Sequence, residues 1–307
     1  RYLFRRRGGE PRPDPASRWQ QGGVHAASAV FFPQRHAWRD AAWRGRARSE
    51  LVFYELHVGT FTREGTFDAV IPRLSTLAEL GVTALELLPV AQFPGSRGWG
   101  YDGVYPYAAQ ESYGGPRALQ RLVDACHAAG LAVFIDAVYN HFGPEGAYLG
   151  EFAPYQTGQH HTPWGSAVNY DDAGCEGVRS FVVENARWWI RDFHCDGLRL
   201  DAIHAIHDEG ARHILADVAR VVHEEGERRG SITHAVAESS LNDVRLLDPE
   251  ERNGFGLDAQ WSDDFHHCVH AELTGERRGY YADFSEPADL VKALARDFVY
   301  DGRYSVH

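Results

Sequence analysis

The sequence predicts an α/β fold, a parallel sheet or a (β/α)8 barrel, and three observations carry the prediction. From Leu51 onward, short β-branched or aliphatic runs alternate with amphipathic segments of helical period. Two long stretches rich in Gly, Pro and aromatics, 91–115 and 140–177, each follow the C-terminal end of an expected strand. Long loops are usually functional, and barrels of this kind build their active sites at that end. The 307 residues, 44% apolar and 24% charged, suffice for a full core in one large domain or two modest ones.

Residues 1–48 stand apart. They hold eleven arginines against Glu10, Asp14 and Asp40, a local balance of +8 that leaves −20 for the remainder. They contain Pro11-Arg-Pro-Asp-Pro15 and no helical period, which reads as the tail of a preceding domain plus a linker lying on the next. Strands are expected at 51–58, 83–89, 132–139, 197–202, 232–238 and about 257–262. Phe67, Val70, Ile71 and Leu74 mark a helix that stops at Gly81, and Leu119, Leu122, Val123 and Cys126 mark a second before Gly130. Val182, Ala186, Trp189, Ile190 and Phe193 give a third, and Ala211, Leu215, Val218 and Val222 a fourth, ending near Gly226. Six strands are countable, two short of a closed barrel.

Composition excludes several classes. A net charge of −12 argues against a duplex nucleic-acid partner, whose affinity comes from Lys and Arg on phosphates. No apolar run approaches the ~18 residues of a membrane helix, so no membrane partner is expected, and nothing at the N-terminus has the apolar h-region of a signal peptide. Cys126, Cys175, Cys195 and Cys268 lie far apart without a CxxC pair, which reads as reduced thiols in a cytoplasmic protein. The chain begins at Arg1 and holds no methionine, so it is expected to be a fragment. His204 and His207, three apart at the start of an expected helix, and the Asp/His cluster at 263–267 offer no identifiable third metal ligand. Neither a metal nor an organic cofactor is expected.

Chemistry concentrates at three strand ends. In Asp196-Gly-Leu-Arg-Leu-Asp201, Arg199 and Asp201 share a face, and the guanidinium favours the ionised carboxylate that a nucleophile needs. A buried structural ion pair is the plainer alternative. Glu238 closes the apolar run Ile232-Thr-His-Ala-Val-Ala, the position of a catalytic acid, or else of a solvated or capping one. A carboxyl facing an apolar wall there would have the raised pKa of a general acid. Asp136, inside the hydrophobic strand Val133-Phe-Ile-Asp-Ala-Val-Tyr-Asn-His141, needs a partner, and Arg199 is the obvious one. His141 would stand at the strand mouth.

Asp136 to His141, Gly-Leu-Arg-Leu-Asp at 197–201, and Glu238, in that order, resemble the first three sequence regions of the α-amylase family of glycoside hydrolases, across residues 51–307. Glu55-Leu-His-Val-Gly-Thr-Phe61, Phe93-Pro-Gly-Ser-Arg-Gly-Trp-Gly-Tyr-Asp-Gly103, Ala237-Glu-Ser-Ser-Leu-Asn-Asp243 and Gln260-Trp-Ser-Asp-Asp-Phe-His-His267 resemble its trehalose-releasing branch. The resemblance implies a (β/α)8 TIM barrel of the α-amylase type, incomplete at about six strands, over 51–307. It implies that residues 1–50 are the end of an N-terminal β-sandwich domain and a linker. By the same likeness Asp201 is the nucleophile and Glu238 the acid/base, and Arg199 and His141 hold the nucleophile and the sugar.

Trp99, Tyr101, Asp102, Asp136, His204, Asp264, Phe265 and His266 are then expected substrate contacts, although loop aromatics are often mere packing. The family's third carboxylate lies in an Asn-His-Asp motif after strand seven. No such motif occurs here, and Asp264 is not promoted to that role. The implied reaction is retaining cleavage of the α-1,4 bond beside the trehalose end of malto-oligosyl trehalose or a related α-glucan, in functional pairing with malto-oligosyltrehalose synthase. Rivals are a glycogen branching enzyme or another α-glucan transglycosylase, and a non-catalytic glucan-binding protein. Retention of both Asp201 and Glu238 speaks against the last. The 307-residue chain alone is expected to be inactive.

Overall fold

The aliphatic runs become a single parallel sheet, seen in a computed structural model that describes residues 1–284 and 286–302. Its strands are Phe53–Leu56 (β1), Ala84–Leu87 (β2), Ala132–Ala137 (β3), Gly197–Leu200 (β4), His234–Ala237 (β5) and Ala259–Gln260 (β6). They run in the order β6-β5-β4-β3-β2-β1, an open half-barrel in which every neighbouring pair is parallel. Register sets the site: Arg199 on β4 lies directly opposite Asp136 on β3 and Val236 on β5.

The four expected helices form with altered bounds. The first is divided into Phe67–Val70, a 3-10 turn at Ile71–Arg73, and Leu74–Glu79 (α1). Pro72 sits within that turn, and a proline has no N–H for a continuous helical ladder. Gly115–Ala128 (α2) and Cys175–Phe193 (α3) cover their predicted faces. Ile214–Arg229 (α4) starts after Ala211 and runs through Gly226 to a left-handed Gly230 at φ +66°. Gly226 is a packing residue rather than a stop. A Cβ there would lie 2.2 Å from Thr233 Oγ1, at the entry to β5.

Two further helices, Asp263–Thr274 (α5) and Pro287–Arg296 (α6), lie beyond the predicted ones. Asp263 to His267 therefore open a helix instead of forming a loop, with Ser262 Oγ accepting from the Phe265 N–H at 3.3 Å as its cap. His204 and His207 do not begin a helix either: His204 sits in the 3-10 turn Ile203–Ala205, and α4 follows later.

Both long stretches carry structure of their own. Ala91–Gln92 pairs antiparallel with Tyr105–Ala109, and Gln156–Thr162 with Gly165–Val168. Tyr105–Ala109 is buried at every position, so it lacks the alternation that betrays a strand. Residues 1–50 hold a two-residue ladder, Phe4–Arg5 with Pro11–Arg12, and an isolated bridge between Tyr2 and Ser28, besides short 3-10 turns. They lie on the sheet's helices. Phe31 enters the main core, the Arg39 guanidinium pairs with Asp124 at 2.7 Å, and Gln120 donates to the Pro33 carbonyl at 3.1 Å.

Candidate active site

The C-terminal ends of β3, β4 and β5 bring the principal residues together, because alternate residues of a strand share a face and these strands are neighbours. Arg199 is the hub. Its Nη1 donates to Asp136 Oδ1 and Oδ2, both at 3.0 Å, and to Asp201 Oδ1 at 2.7 Å. Its Nη2 lies 3.6 Å from Glu238 Oε2. Asn140 Nδ2 donates to the Asp201 main-chain carbonyl at 2.8 Å and to its Oδ2 at 2.9 Å, so both Asp201 carboxylate oxygens are held. His141 shares a hydrogen bond with Asn140 Oδ1.

Between the two principal acids stands a strained backbone residue. Ala202 is left-handed at φ +41°, a conformation that costs a residue with a Cβ. It turns the N–H that follows Asp201 onto Glu238 Oε2 at 2.7 Å. The Glu238 carboxyl is thus half-buried in a polar setting, between an amide and a guanidinium, and not against the apolar wall that the strand pattern suggests.

Burial shapes the electrostatics. It pushes Asp136 up to about 7, against the pull of Arg199, with Asp201 adding to the push. The Tyr101 hydroxyl donates to Asp136 Oδ2 at 2.9 Å, and burial holds that phenol strongly protonated. The His141 imidazole is pushed down by burial, which favours its neutral form.

Among the described residues the other expected contacts make no hydrogen bond or ion pair with Asp136, Arg199, Asp201 or Glu238. Trp99 is exposed, its ring tilted against His57 at 5.5 Å. Asp102 is exposed too, but its main chain packs so closely on Gly143 that a Cβ there would lie 2.1 Å from the Asp102 carbonyl oxygen. Asp264 is buried, and its Oδ2 accepts from Asn242 Nδ2 at 2.9 Å and from the Val299 and Tyr300 N–H groups at 2.6 and 3.2 Å. Those bonds tie α5 to the chain after α6. His204, Phe265 and His266 are exposed.

Two residues escape sequence reasoning. Glu86 on β2 is 1% exposed, with Oε1 3.7 Å from Arg199 Nε. Its signal, a lone acid in Ala84-Leu-Glu-Leu-Leu88, is the same as that of Asp136. Trp164, at the turn of the 156–168 hairpin, stacks on His141 with ring centroids 4.9 Å apart at 20°. Nothing local singles it out.

Among the described residues no group of three His, Cys, Asp or Glu side chains is placed to hold a metal ion, and Cys126, Cys175 and Cys195 are free thiols. No described helix is long and apolar enough to cross a membrane. Chemically, the arrangement offers one carboxylate clamped by a guanidinium and an amide, and a second, more accessible carboxyl across the same guanidinium.

The chain is similar to known proteins over most of its length. Residues 31–162 match the family model of the α-amylase catalytic domain. A malto-oligosyltrehalose trehalohydrolase from Saccharolobus solfataricus is 53% identical over 95% of this chain and 51% of its own length. One from Arthrobacter ramosus is 52% identical over 96% of this chain and 51% of its own. The crystal structure of an α-amylase candidate from Salmonella typhimurium superposes with a TM-score of 0.90 at 43% identity, over 97% of this chain and 51% of that one. The chain spans about half the length of the curated relatives it matches. With the Asp136–Arg199–Asp201–Glu238 hub at the ends of β3 to β5 of a parallel half-barrel, the chain is similar to the α-amylase family in both sequence and fold.

Proposed function

We propose that the protein to which this chain contributes is a glycoside hydrolase that cleaves the α-1,4 bond beside the trehalose end of malto-oligosyl trehalose, releasing trehalose with retention at the anomeric carbon. The observation that carries the reading is the division of labour around Arg199. Asp201 is fixed through both oxygens by Arg199 and Asn140 and is suited to attack. Glu238 is half-buried, has one oxygen on the Ala202 amide, and is suited to exchange protons with a substrate. In the first step Glu238 gives its proton to the glycosidic oxygen as that bond breaks, and Asp201 forms a bond to the anomeric carbon. In the second, Glu238 takes a proton from water, whose oxygen displaces Asp201 and frees the enzyme. Arg199 holds Asp201 in place between turnovers, and Tyr101, through Asp136, anchors the same Nη1.

We further infer that residues 1–50 are the end of an N-terminal β-domain with its linker, and that 51–307 are the barrel portion carrying the site. The free thiols of Cys126, Cys175 and Cys195 fit a cytoplasmic setting. A synthase that builds the trehalose end would supply the substrate.

The test is product analysis of the full-length protein on maltosyl- to maltopentaosyl-trehalose, with proton NMR of the fresh products. Free trehalose and an initial α-anomer at the new reducing end are expected. An initial β-anomer sinks the retaining assignment, glucan chains longer than the substrate assign a transglycosylase, and binding without turnover assigns a glucan-binding protein.

A further inference from the structure

Glu86 is the one acid around Arg199 that the proposed mechanism does not use. Among the described residues neither of its carboxylate oxygens accepts a hydrogen bond, although both are buried. Arg199 Nε is likewise buried without a hydrogen-bond partner, and it faces Glu86 Oε1 across 3.7 Å, too far for a direct bond. The charged groups that act on Glu86 are Glu55 from β1, Asp136 from β3, Arg199 from β4 and Glu238, the residue after β5. Three of these four are acids. Arg199, the one cation among them, already serves Asp136 and Asp201 through Nη1.

A carboxylate in that position would be buried, unbonded and surrounded by like charge, so the neutral acid is the stable form. Burial first, then Asp136, Glu55 and Glu238, pushes Glu86 up to about 8 against the pull of Arg199.

We propose that Glu86 is a positioning residue for Arg199: it works as the neutral acid, and its ionisation draws the guanidinium off Asp201 and closes the site on the alkaline side. The geometry explains the direction. An ionised Glu86 is an anion at Nε that competes with Asp136 and Asp201 at Nη1, on the opposite side of the same planar group. A guanidinium drawn towards β2 lengthens the 2.7 Å bond that fixes the nucleophile. A neutral Glu86 leaves that bond unopposed.

The proposal rests on the glycosidase reading, and its experiment separates the two. Full-length protein is assayed on α-maltosyl fluoride, whose leaving group departs without a proton from Glu238, so the alkaline limb no longer reports that acid. The wild type is expected to lose kcat/KM above about pH 8, roughly tenfold per pH unit. Glu86→Gln, neutral at every pH, is expected to move that limb up by at least one pH unit while leaving the acid limb in place. A limb at the same pH in both proteins overturns the proposal.

A second readout needs neither turnover nor a folded Glu86 variant. Glutamates labelled with 13C at the side-chain carboxyl are followed by infrared spectroscopy in a Glu238→Gln background. Among the described residues the other buried glutamate, Glu225, is paired with Arg187 and Arg228. A protonated carboxyl band persisting to about pH 8 is expected, and absence of such a band at pH 6 overturns the proposal. Should the wild type release neither trehalose nor fluoride, the glycosidase reading fails, while the infrared titration still decides whether Glu86 holds its proton.

Discussion

Asp196 and Asp201 bracket β4, one at each end, and both are buried, at 1% and 8% exposure. Their surroundings are opposite in kind. Asp196 accepts from Trp43 Nε1 at 2.7 Å, from the Val133 N–H at 2.9 Å, and meets His127 Nε2 at 2.9 Å. The other nitrogen of His127 meets Asp40 at 2.9 Å, and His194 binds the same Asp40 oxygen at 2.8 Å. Acids and bases alternate there, and the network clamps the 1–50 segment to the sheet. At the other end of β4 one guanidinium faces four carboxyl groups, those of Glu86, Asp136, Asp201 and Glu238. A matched cluster holds the fold. An over-subscribed one leaves groups poised to gain and lose protons, which is the condition for catalysis.

The comparison is broken most forcefully at the C-terminal end. Glu238→Gln in the full-length protein keeps an oxygen for the Ala202 amide but can neither donate a carboxylic proton nor accept one. Turnover of malto-oligosyl trehalose should fall by ~10²–10⁴-fold. The glycosylation step of a substrate with a good leaving group should fall far less, with the melting temperature unchanged. Equal losses on both substrates would mean that Glu238 is not the acid.

The same kind of change at the N-terminal end should do the reverse. Asp196→Ala leaves Trp43, His127 and the Val133 amide without their acceptor, and breaking a buried pair costs about 3–5 kcal/mol. Urea unfolding should show that loss, with kcat/KM per folded molecule unaltered. The clamp also has a pH signature. Burial opposes charging of His127, but Asp196 and Asp40 prevail and raise its pKa above the ordinary value. Its contribution is therefore complete below about 6.5, the unfolded value, and is lost as pH rises through the folded one. Burial likewise opposes ionisation of Asp40, yet His127 and His194 hold that carboxyl well below its usual range. That contribution is present above about 3.9 and is lost as pH falls through the depressed value. His127→Gln should accordingly cost more stability at pH 5.5 than at pH 8.5, and equal costs would remove charge from the account.

How much of this was legible in the sequence depends on where each partner lies. Asp136, Arg199 and Glu238 each interrupt or end an apolar run, and strand alternation then fixes the face they share. Glu86 interrupts its run in the same way, but its meaning comes from Arg199, two strands away in the sheet. The Asp-Asp-Phe-His-His motif invited a site reading in the opposite sense. Once Ser262 caps α5, Asp264 is bound to the backbone of Val299 and Tyr300, a tertiary contact that no local pattern announces. Pro72 shows the limit of periodicity from the other side, since the apolar spacing continues through it while the hydrogen-bond ladder does not.

A smaller effect sharpens the acidic cluster itself. Tyr101→Phe removes the hydroxyl that donates to Asp136 and leaves the ring. A hydrogen bond to a charged group is worth about 1.5–3 kcal/mol, and its loss favours the protonated acid. The acid limb of kcat/KM should move to higher pH, and urea unfolding should show a stability loss of that order. Tyr101→Ala should also raise KM if the ring contacts sugar, and an unchanged KM would assign the ring to loop packing.

The smallest expected effect concerns Trp164, which tests whether the 156–168 hairpin belongs to the site or only borders it. Its ring is half-exposed and stacked on His141, while His141 is bonded to Asn140, which in turn holds Asp201. An aromatic pair of this geometry is worth about 0.5–1.5 kcal/mol. Trp164→Ala should therefore lower kcat/KM by about ten-fold at most, chiefly through KM, because the hub around Arg199 stays intact. It also strips cover from an imidazole whose pKa is held down by burial. The NMR titration of His141 should then move up towards about 6.5, the ordinary value. Trp164→Phe retains a ring for stacking and should fall between the two. The paired readout separates causes: a shifted His141 titration with unchanged kinetics makes the hairpin a cover for the imidazole alone. A change in neither makes it packing, with the charge balance at the C-terminal end of β4 set by the strands themselves.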